Sequence, residues 1–420
     1  MAESTTIRDV ARLARVSVST VSNVLNGRSG RMRPATRRRV DRAIARLRYR
    51  PNRAARQLRT GHARTIALVV PSVANPFWGS FAVYVESAAR AHGYQVVLCN
   101  TDRDRARERA YVAGLWRDGI RDVILGSSLP SLDHIADLMA RGLTVVALGL
   151  PSHGDAVVPA ASISVDNRHG SLLATRHLLG QGHRRIAFIS DLARFTSRVE
   201  RYRGYRDALV HAGLAMDPAL VWRRGADTMS RDAEGAEVGQ IGIRHLLKAP
   251  SPPTAVVAAN DLCAFGVLAA ARELGLIVPR DLSVVGFDDI DLARLANPPL
   301  TTVRQPADEL ARIAVDEVLR AAAQRPAQEP ATLVVRPRLM VRASTAPPRA
   351  SSARRGAFTA ALRTARRSRA GDARLLAGRV GEEVVGVRRR SARMLVHESG
   401  ANVARLRATR RRGDDGQAQG

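Results

Sequence analysis

Residues 16–27 read VSVSTVSNVLNG, and the reading of this stretch decides how the amino-terminal region folds. Its opening, Val16-Ser17-Val18-Ser19, alternates apolar and polar side chains as a strand would. Its continuation places Val21, Val24 and Leu25 three and four apart, as a helix would. The neighbours decide between the two. Residues 5–14, TTIRDVARLA, form a helix pattern in which Thr6 and Asp9 suit a capping box, with Ile7, Val10 and Leu13 or Ala14 on one stripe. Asn26-Gly27 is a helix stop, Pro34 suits a first helical turn, and Val40, Ile44 and Leu47 give a third helix its inner face. With Ser17 as N-cap, a second helix then runs from Val18 to about Leu25, with Val21 and Val24 inward. Val18, Ser19 and Asn23 form its outer face, and Thr20 and Ser22 point outward or flank it. Three short helices with a tight turn between the first two make a helix-turn-helix unit. A bundle with one polar face has the same pattern; the charge around it favours DNA.

That charge is uneven. The 420 residues carry a net +29. Residues 1–61 hold about +13, residues 62–345 about +4 and residues 346–420 about +12. A near-neutral middle between two basic ends points to a polyanionic partner, most simply nucleic acid. Nearly all of the positive charge is Arg, which genomic base composition can also supply.

Residues 50–61, RPNRAARQLRTG, carry a helix start at Pro51-Asn52, a stop at Gly61, and Ala54, Ala55 and Leu58 on one face. Two turns are marginal alone. An ordinary linker has this pattern too, but basic side chains around one apolar Leu suggest instead a segment that orders on DNA and wedges Leu58 into the minor groove.

From residue 63 the texture changes. The runs TIALVV, YQVVLC, DVIL, TVVAL, ASISV, RIAFIS, TAVVA and LSVVGF alternate with amphipathic stretches over about 280 residues, which predicts an α/β fold of parallel sheets in two lobes. Ligands in such folds bind beyond the carboxyl ends of strands, here near residues 71–77, Asn260-Asp261 and Asp288-Asp289. After about Thr345 the pattern fails, and residues 346–420 read as a basic, mostly disordered tail.

Two cysteines, Cys99 and Cys263, lie in apolar runs, so neither a disulfide framework nor a thiolate metal site is expected. No secretory leader or membrane-span pattern is present, and a cytoplasmic protein is expected. No G-x-S-x-G elbow, P-loop, H-E-x-x-H or dinucleotide fingerprint occurs in context, so neither catalysis nor a cofactor is expected. His183, in GQGHRRI, reads as a turn or capping residue, and Asp288 and Asp289, adjacent on an extended segment, point apart.

From Thr6 to about Pro347 the chain resembles the lactose-repressor/galactose-repressor family of bacterial transcription regulators. The motifs are IRDVARLARVSVSTVSNVLNG, YRPNRAARQLRTG, VPSVANPFW, SVDNRHG, GHRRIAFI, AANDLCAFGVLAA, VPRDLSVVGFDDIDLA and PPLTTVRQP, collinear over some four fifths of the chain. The resemblance implies a helix-turn-helix headpiece (1–50), a hinge helix (51–61) and a two-lobed core like the periplasmic sugar-binding proteins (62–345). It also implies a repressor that binds a pseudo-palindromic operator as a homodimer, under allosteric control of a small molecule, a sugar by preference, held between the lobes. Val18, Ser19 and Asn23 match base-contacting positions, and Ser17, Thr20, Ser22 and Asn26 match phosphate contacts. Leu58 matches the minor-groove wedge, with Ala55 beside it. Phe77 and Trp78 match an aromatic wall, Arg201 an effector-contacting arginine, and Asn260 and Asp288 hydroxyl-binding groups. Each has a plainer role available: Asn260 can cap the next helix, Asp288 can be a loop carboxylate, and Phe77 can be core. Three positions depart from the family pattern. Asn23 stands where Arg is frequent, Arg33 where a small polar cap precedes Pro34, and Gly149 where an acidic ligand contact is common. An extracytoplasmic sugar-binding protein would explain the core alone, and a nonspecific architectural DNA protein the charge alone.

Overall fold

The computed structural model describes residues 5–25, 32–49, 64–127, 129, 131–149, 157–191, 195–223, 235–323 and 330–349. Asn26, Ala55, Leu58, the expected hinge 51–61 and the tail from residue 350 lie outside the described residues.

The headpiece is three helices, α1 (Ile7–Ala14), α2 (Val18–Leu25) and α3 (Pro34–Arg46). Thr6 and Asp9 form the capping box, and Arg15 ends α1 in a left-handed conformation at φ 50°. Ser17 accepts a hydrogen bond from the Thr20 amide at 3.2 Å, the N-cap geometry that turns the strand-like opening into a helix. Arg33 precedes Pro34 with no side-chain cap, leaving the α3 amides without that partner. Val10, Ala14, Val21 and Val40 are buried together, with Ile7, Val24, Ile44 and Leu47 packed on them. Ala14 completes the α1 stripe, and Leu13 stays 42% exposed.

The core begins with β1 (Thr65–Val70), α4 (Pro76–Ala91), β2 (Gln95–Asn100), α5 (Arg105–Arg117), β3 (Asp122–Leu125), α6 (Ala136–Ala140), β4 (Thr144–Leu148) and β5 (Ala161–Val165). It continues with α7 (Asn167–Gly180), β6 (Ile186–Ser190), α8 (Thr196–His211), β7 (Val221–Arg223), α9 (Ala236–Leu246), β8 (Ala255–Ala258), α10 (Asp261–Glu273) and β9 (Ser283–Asp288). Then come α11 (Leu292–Leu295), β10 (Thr301–Arg304), α12 (Ala307–Ala323), β11 (Ala331–Val335) and β12 (Arg338–Met340).

These strands form two six-stranded sheets. The first lobe has the order β11-β5-β4-β3-β1-β2, all parallel, and the second β12-β10-β9-β8-β6-β7, with only β12 antiparallel. All eight apolar runs are strands. Four further strands, β7, β10, β11 and β12, are short or carry polar and exposed residues, and so lack the continuous apolar run of a central parallel strand.

The lobes are interleaved. The chain leaves the first lobe after β5 and builds the second as far as β10. It then returns to place Ala307, Leu310, Ala311, Ala314, Val315 and Val318 of α12 in the first lobe's core, beside Ile66, Leu68 and Phe81. It adds β11 there and crosses a third time to β12. In the second lobe, α9 and α10 approach so closely that Gly239 faces the Cys263 carbonyl and Gly266 the Ala236 carbonyl with no space for a side chain.

Candidate functional site

Two sites stand out, an exposed helix face and a cleft. On α2, Val18 is 40% exposed, and Ser19 and Asn23 are exposed beside it; Ser17 is exposed and Thr20 half-buried. Ser22 differs from the sequence reading. It is buried, at 8% exposure, on the Val21 side of the helix, so its hydroxyl does not lie on the outward face. The outward face carries no charge of its own. Exposed Arg8, Arg12, Arg15, Arg37, Arg38, Arg39 and Arg42 on the same small domain supply the cationic surround. Small side chains allow an approach to base edges, and arginines supply sequence-independent attraction to phosphate.

The cleft lies between the lobes and encloses about 890 Å3, counted to its open mouth. Its lining follows the carboxyl ends of β1, β3, β4 and β5 in one sheet and of β6, β9 and β10 in the other, the side on which parallel sheets bind ligands. The strand order reverses between β1 and β3 in the first sheet and between β6 and β8 in the second. The first-lobe wall is aromatic. Asn75 caps α4 by accepting from the Phe77 amide at 3.0 Å, and the first turns of α4 project Phe77, Trp78 and Phe81. Phe77 and Trp78 meet edge to face at 5.3 Å, and Trp78 and Phe81 at 5.8 Å. Gly126, at the end of β3, keeps the space for this wall, because a β-carbon there would meet the tip of Trp78 at 2.7 Å.

The second-lobe wall is ionic. Arg201 on α8 donates from Nε to Asn167 Oδ1 at 2.8 Å and from Nη1 to the Ala259 carbonyl at 2.5 Å. Its guanidinium lies over the Phe287 ring, 3.5 Å from the centroid, and 3.5 Å from Asp288 Oδ1. One turn earlier, Arg198 donates to Asp191 Oδ1 at 2.8 Å and to the same Ala259 carbonyl at 3.2 Å. Burial pushes Arg201 down to about 9, against the pull of Asp288 and with that of Arg198. Despite its burial, Asp191 is held below the usual carboxylate range by Arg198 and Arg103.

Asp288 ends β9 at φ 123°, a conformation L-residues rarely adopt and one that neighbouring contacts must hold. It accepts from Gln305 at 2.6 Å and from Asn75 of the opposite lobe at 3.4 Å. Its side chain therefore joins the two walls. Asp289 turns the other way, to Arg304 and Arg342, both at 2.6 Å; its backbone is at φ 55°, so the left-handed turn after β9, not the alternation of an extended segment, sends the two carboxylates apart.

The cleft lining thus brings together Phe77, Trp78, Arg201 and Asp288. Asn260 is not in the lining; it caps α10, its Oδ1 accepting from the Cys263 amide at 2.9 Å. His183 does follow the turn that closes α7, its amide donating to the Leu178 carbonyl at 3.1 Å after Gly182 at φ 96°, but its side chain is also a core group. It is 1% exposed, with Nδ1 at 2.7 Å from Thr254 Oγ1 and Nε2 at 2.9 Å from the Ala346 carbonyl. Sequence reasoning missed Arg103 and Arg198, although the spacing of Arg198 and Arg201 on one helix was available. It also missed a buried chain in which Ser127, on the lining, donates to Glu108 at 3.0 Å while His134 meets the same carboxylate at 2.8 Å.

Beneath the cleft, Asp261 is wholly buried. It accepts from Thr302 Oγ1 at 2.5 Å and from the Ile290 amide at 2.9 Å. Burial, and then the Asp288 charge, raise it from 3.8 to about 7. Folding therefore strengthens proton binding, so this group's stabilisation is complete below pH 3.8 and is lost as pH rises through about 7. Asp261→Asn, which keeps an acceptor for Ile290, is expected to remove that decline. Urea midpoints from pH 4 to 8 should be flatter in the variant, and parallel curves would refute the assignment.

Among the described residues, no helix is long and apolar enough to cross a membrane. Comparison with known proteins matches residues 6–52 to bacterial regulatory proteins of the lacI family, and residues 175–345 to a periplasmic binding protein-like domain. The HTH-type transcriptional regulator DegA of Bacillus subtilis is 34% identical over 344 residues, 82% of this chain and 98% of the relative. Among solved structures, a lac repressor dimer bound to operator and the anti-inducer ONPF is 27% identical, with a TM-score of 0.72 over 82% of this chain and all of that one. A complex of the transcriptional regulator CelR with cellobiose is 34% identical, with a TM-score of 0.58 over 81% and 99%. With its capped helix-turn-helix and its interleaved two-lobed core, the chain belongs to the lacI family of bacterial regulatory proteins.

Proposed function

We propose that this chain is a cytoplasmic transcriptional repressor that binds a pseudo-palindromic operator as a homodimer and answers to a sugar held between its lobes. It acts by binding, not by catalysis. Its domains divide at about residues 50, 61 and 345, and Leu58, beside Ala55, is the minor-groove wedge of the hinge. The observation that carries the reading is the α2 face, with Val18, Ser19 and Asn23 exposed in one row and cationic surface around it. Val18 offers apolar contact to a thymine methyl, Asn23 suits the paired donor and acceptor of adenine, and Ser17 and Thr20 meet phosphate. Exposed Val83 and Tyr84 on α4, and Val97 and Leu98 on the edge strand β2, give a second copy an apolar surface to cover. The lac repressor of the matched structure is a dimer on its operator, and CelR binds cellobiose, in keeping with both partners.

Control follows from linked equilibria. A ligand that touches Trp78 on one wall and Arg201 on the other favours one angle between the lobes, and the Asn75–Asp288 contact reports that angle. In a dimer, lobe angle sets the spacing of the two hinges and hence affinity for a fixed operator. A gel-shift series on the gene's own upstream region, with sugars added, tests this. A sequence-selective shift that a sugar changes supports it, and no selective shift under any condition overturns it. Asn23→Ala is expected to weaken specific binding about 10- to 100-fold, the worth of one bidentate base contact, while nonspecific binding holds. Equal losses on both DNAs would remove Asn23 from base readout.

A further inference from the structure

We propose that the effector is a carbohydrate carrying an anionic group, a carboxylate or a phosphate, and that Arg103, Arg198 and Arg201 receive that group. The inference rests on the sugar-effector reading and narrows it. Three guanidinium groups line the cleft, whereas Asp288 is the only carboxylate among the described lining residues. Asp288 is already engaged by Gln305, Asn75 and Arg201. Asp191 engages Arg198 through Nε. Among the described lining residues the first lobe contributes no carboxylate, and Gly149 stands at its mouth without a side chain.

The three cations are also held close to one another. Arg198 and Arg201 send their Nη1 groups to a single acceptor, the Ala259 carbonyl. Their Nη2 groups have no acceptor among the described residues, which leaves the two N–H donors of each for a ligand. Arg103 reaches across from the first lobe, its guanidinium 5.0 Å from the Phe195 ring centroid. Like charges gathered in a partly buried space repel; despite that burial, Asp191 and Asp288 offset part of this and hold Arg198 above its ordinary range, and an anion among the three relieves the remainder. The same crowding shows in Arg103, which burial and the Arg198 charge together push down to about 10. The remaining lining is that of a polyol site. Trp78 offers a flat apolar face, and Asn75, Ser127, Asn167 and Gln305 offer hydrogen-bonding groups to hydroxyls.

The test titrates the full-length chain, by calorimetry and thermal shift, with neutral pentoses, hexoses and disaccharides, each beside its uronate, aldonate or phosphate. Acetate and inorganic phosphate are the anion controls. An anionic sugar is expected to bind at least 10-fold tighter than its neutral parent, and Arg103→Gln to close most of that gap. The carboxylate and phosphate arms show which anion is taken. Neutral sugars that bind as tightly as their acids would overturn the inference while leaving the sugar-effector reading intact. Failure of every sugar, neutral and anionic, would overturn both. Equal stabilisation by acetate or inorganic phosphate alone would show an adventitious ion only and overturn the inference.

Discussion

Arg201→Lys is expected to lower effector affinity about 100-fold, while operator binding without effector persists. The guanidinium does three things that an ammonium cannot do together. It donates in two directions, to Asn167 and Ala259, and it lies flat on Phe287. A lysine reaching the same place satisfies one acceptor and loses the stack. Charge-assisted hydrogen bonds are worth about 1.5–3 kcal/mol each, so the loss of one ligand contact together with its rigid placement gives about two decades. Calorimetry on the variant reads the affinity, and a gel shift on the same preparation shows that the chain is folded. A variant with full effector affinity would remove Arg201 from the site.

Gly266→Ala is expected to destabilise the second lobe by about 3 kcal/mol, a loss of roughly 6–12 °C in Tm. A β-carbon at 266 would fall on the backbone carbonyl of Ala236, and backbone cannot rotate aside as a side chain can. Helices α9 and α10 would have to separate, opening the core that Val238, Ile243 and Val267 fill. Gly114→Ala on α5 is the matched control, since a β-carbon there has nothing within 4 Å. It should be neutral or stabilising by several tenths of a kcal/mol, because alanine has less chain freedom to lose. If Gly266→Ala melts like Gly114→Ala, the helix approach is looser than described.

Local signals explain what was legible. Thr6, Asp9 and Ser17 act within three residues of themselves, so the caps of α1 and α2 could be read from the sequence. Buried parallel strands are continuous apolar runs, so the central strands could be read too. Phe77, Trp78, Arg201 and Asp288 were placed by their motifs, and the cleft gathers all four. What failed depends on contacts distant in sequence. The turn and cap at His183 could be read, but its side chain meets Thr254 and Ala346, partners that no local pattern around GQGHRRI contains. Arg103 reaches the cleft only because the turn after β2 directs it toward Phe195 of the other lobe. Asn260 carries two readings at one position, ligand contact and helix cap, and only the hydrogen bond to Cys263 shows which one its Oδ1 serves.

The interleaving of the lobes has a consequence for synthesis. The headpiece has all its helices once residue 49 has emerged, but the first lobe lacks α12 and β11 until residue 335 has been made, and the second lacks β12 until residue 340. A nascent chain therefore exposes a finished DNA-reading domain well before either lobe can close. A message truncated between β9 and β11 yields a headpiece tethered to two unfinished lobes, the kind of product that quality control must clear before it occupies operator DNA.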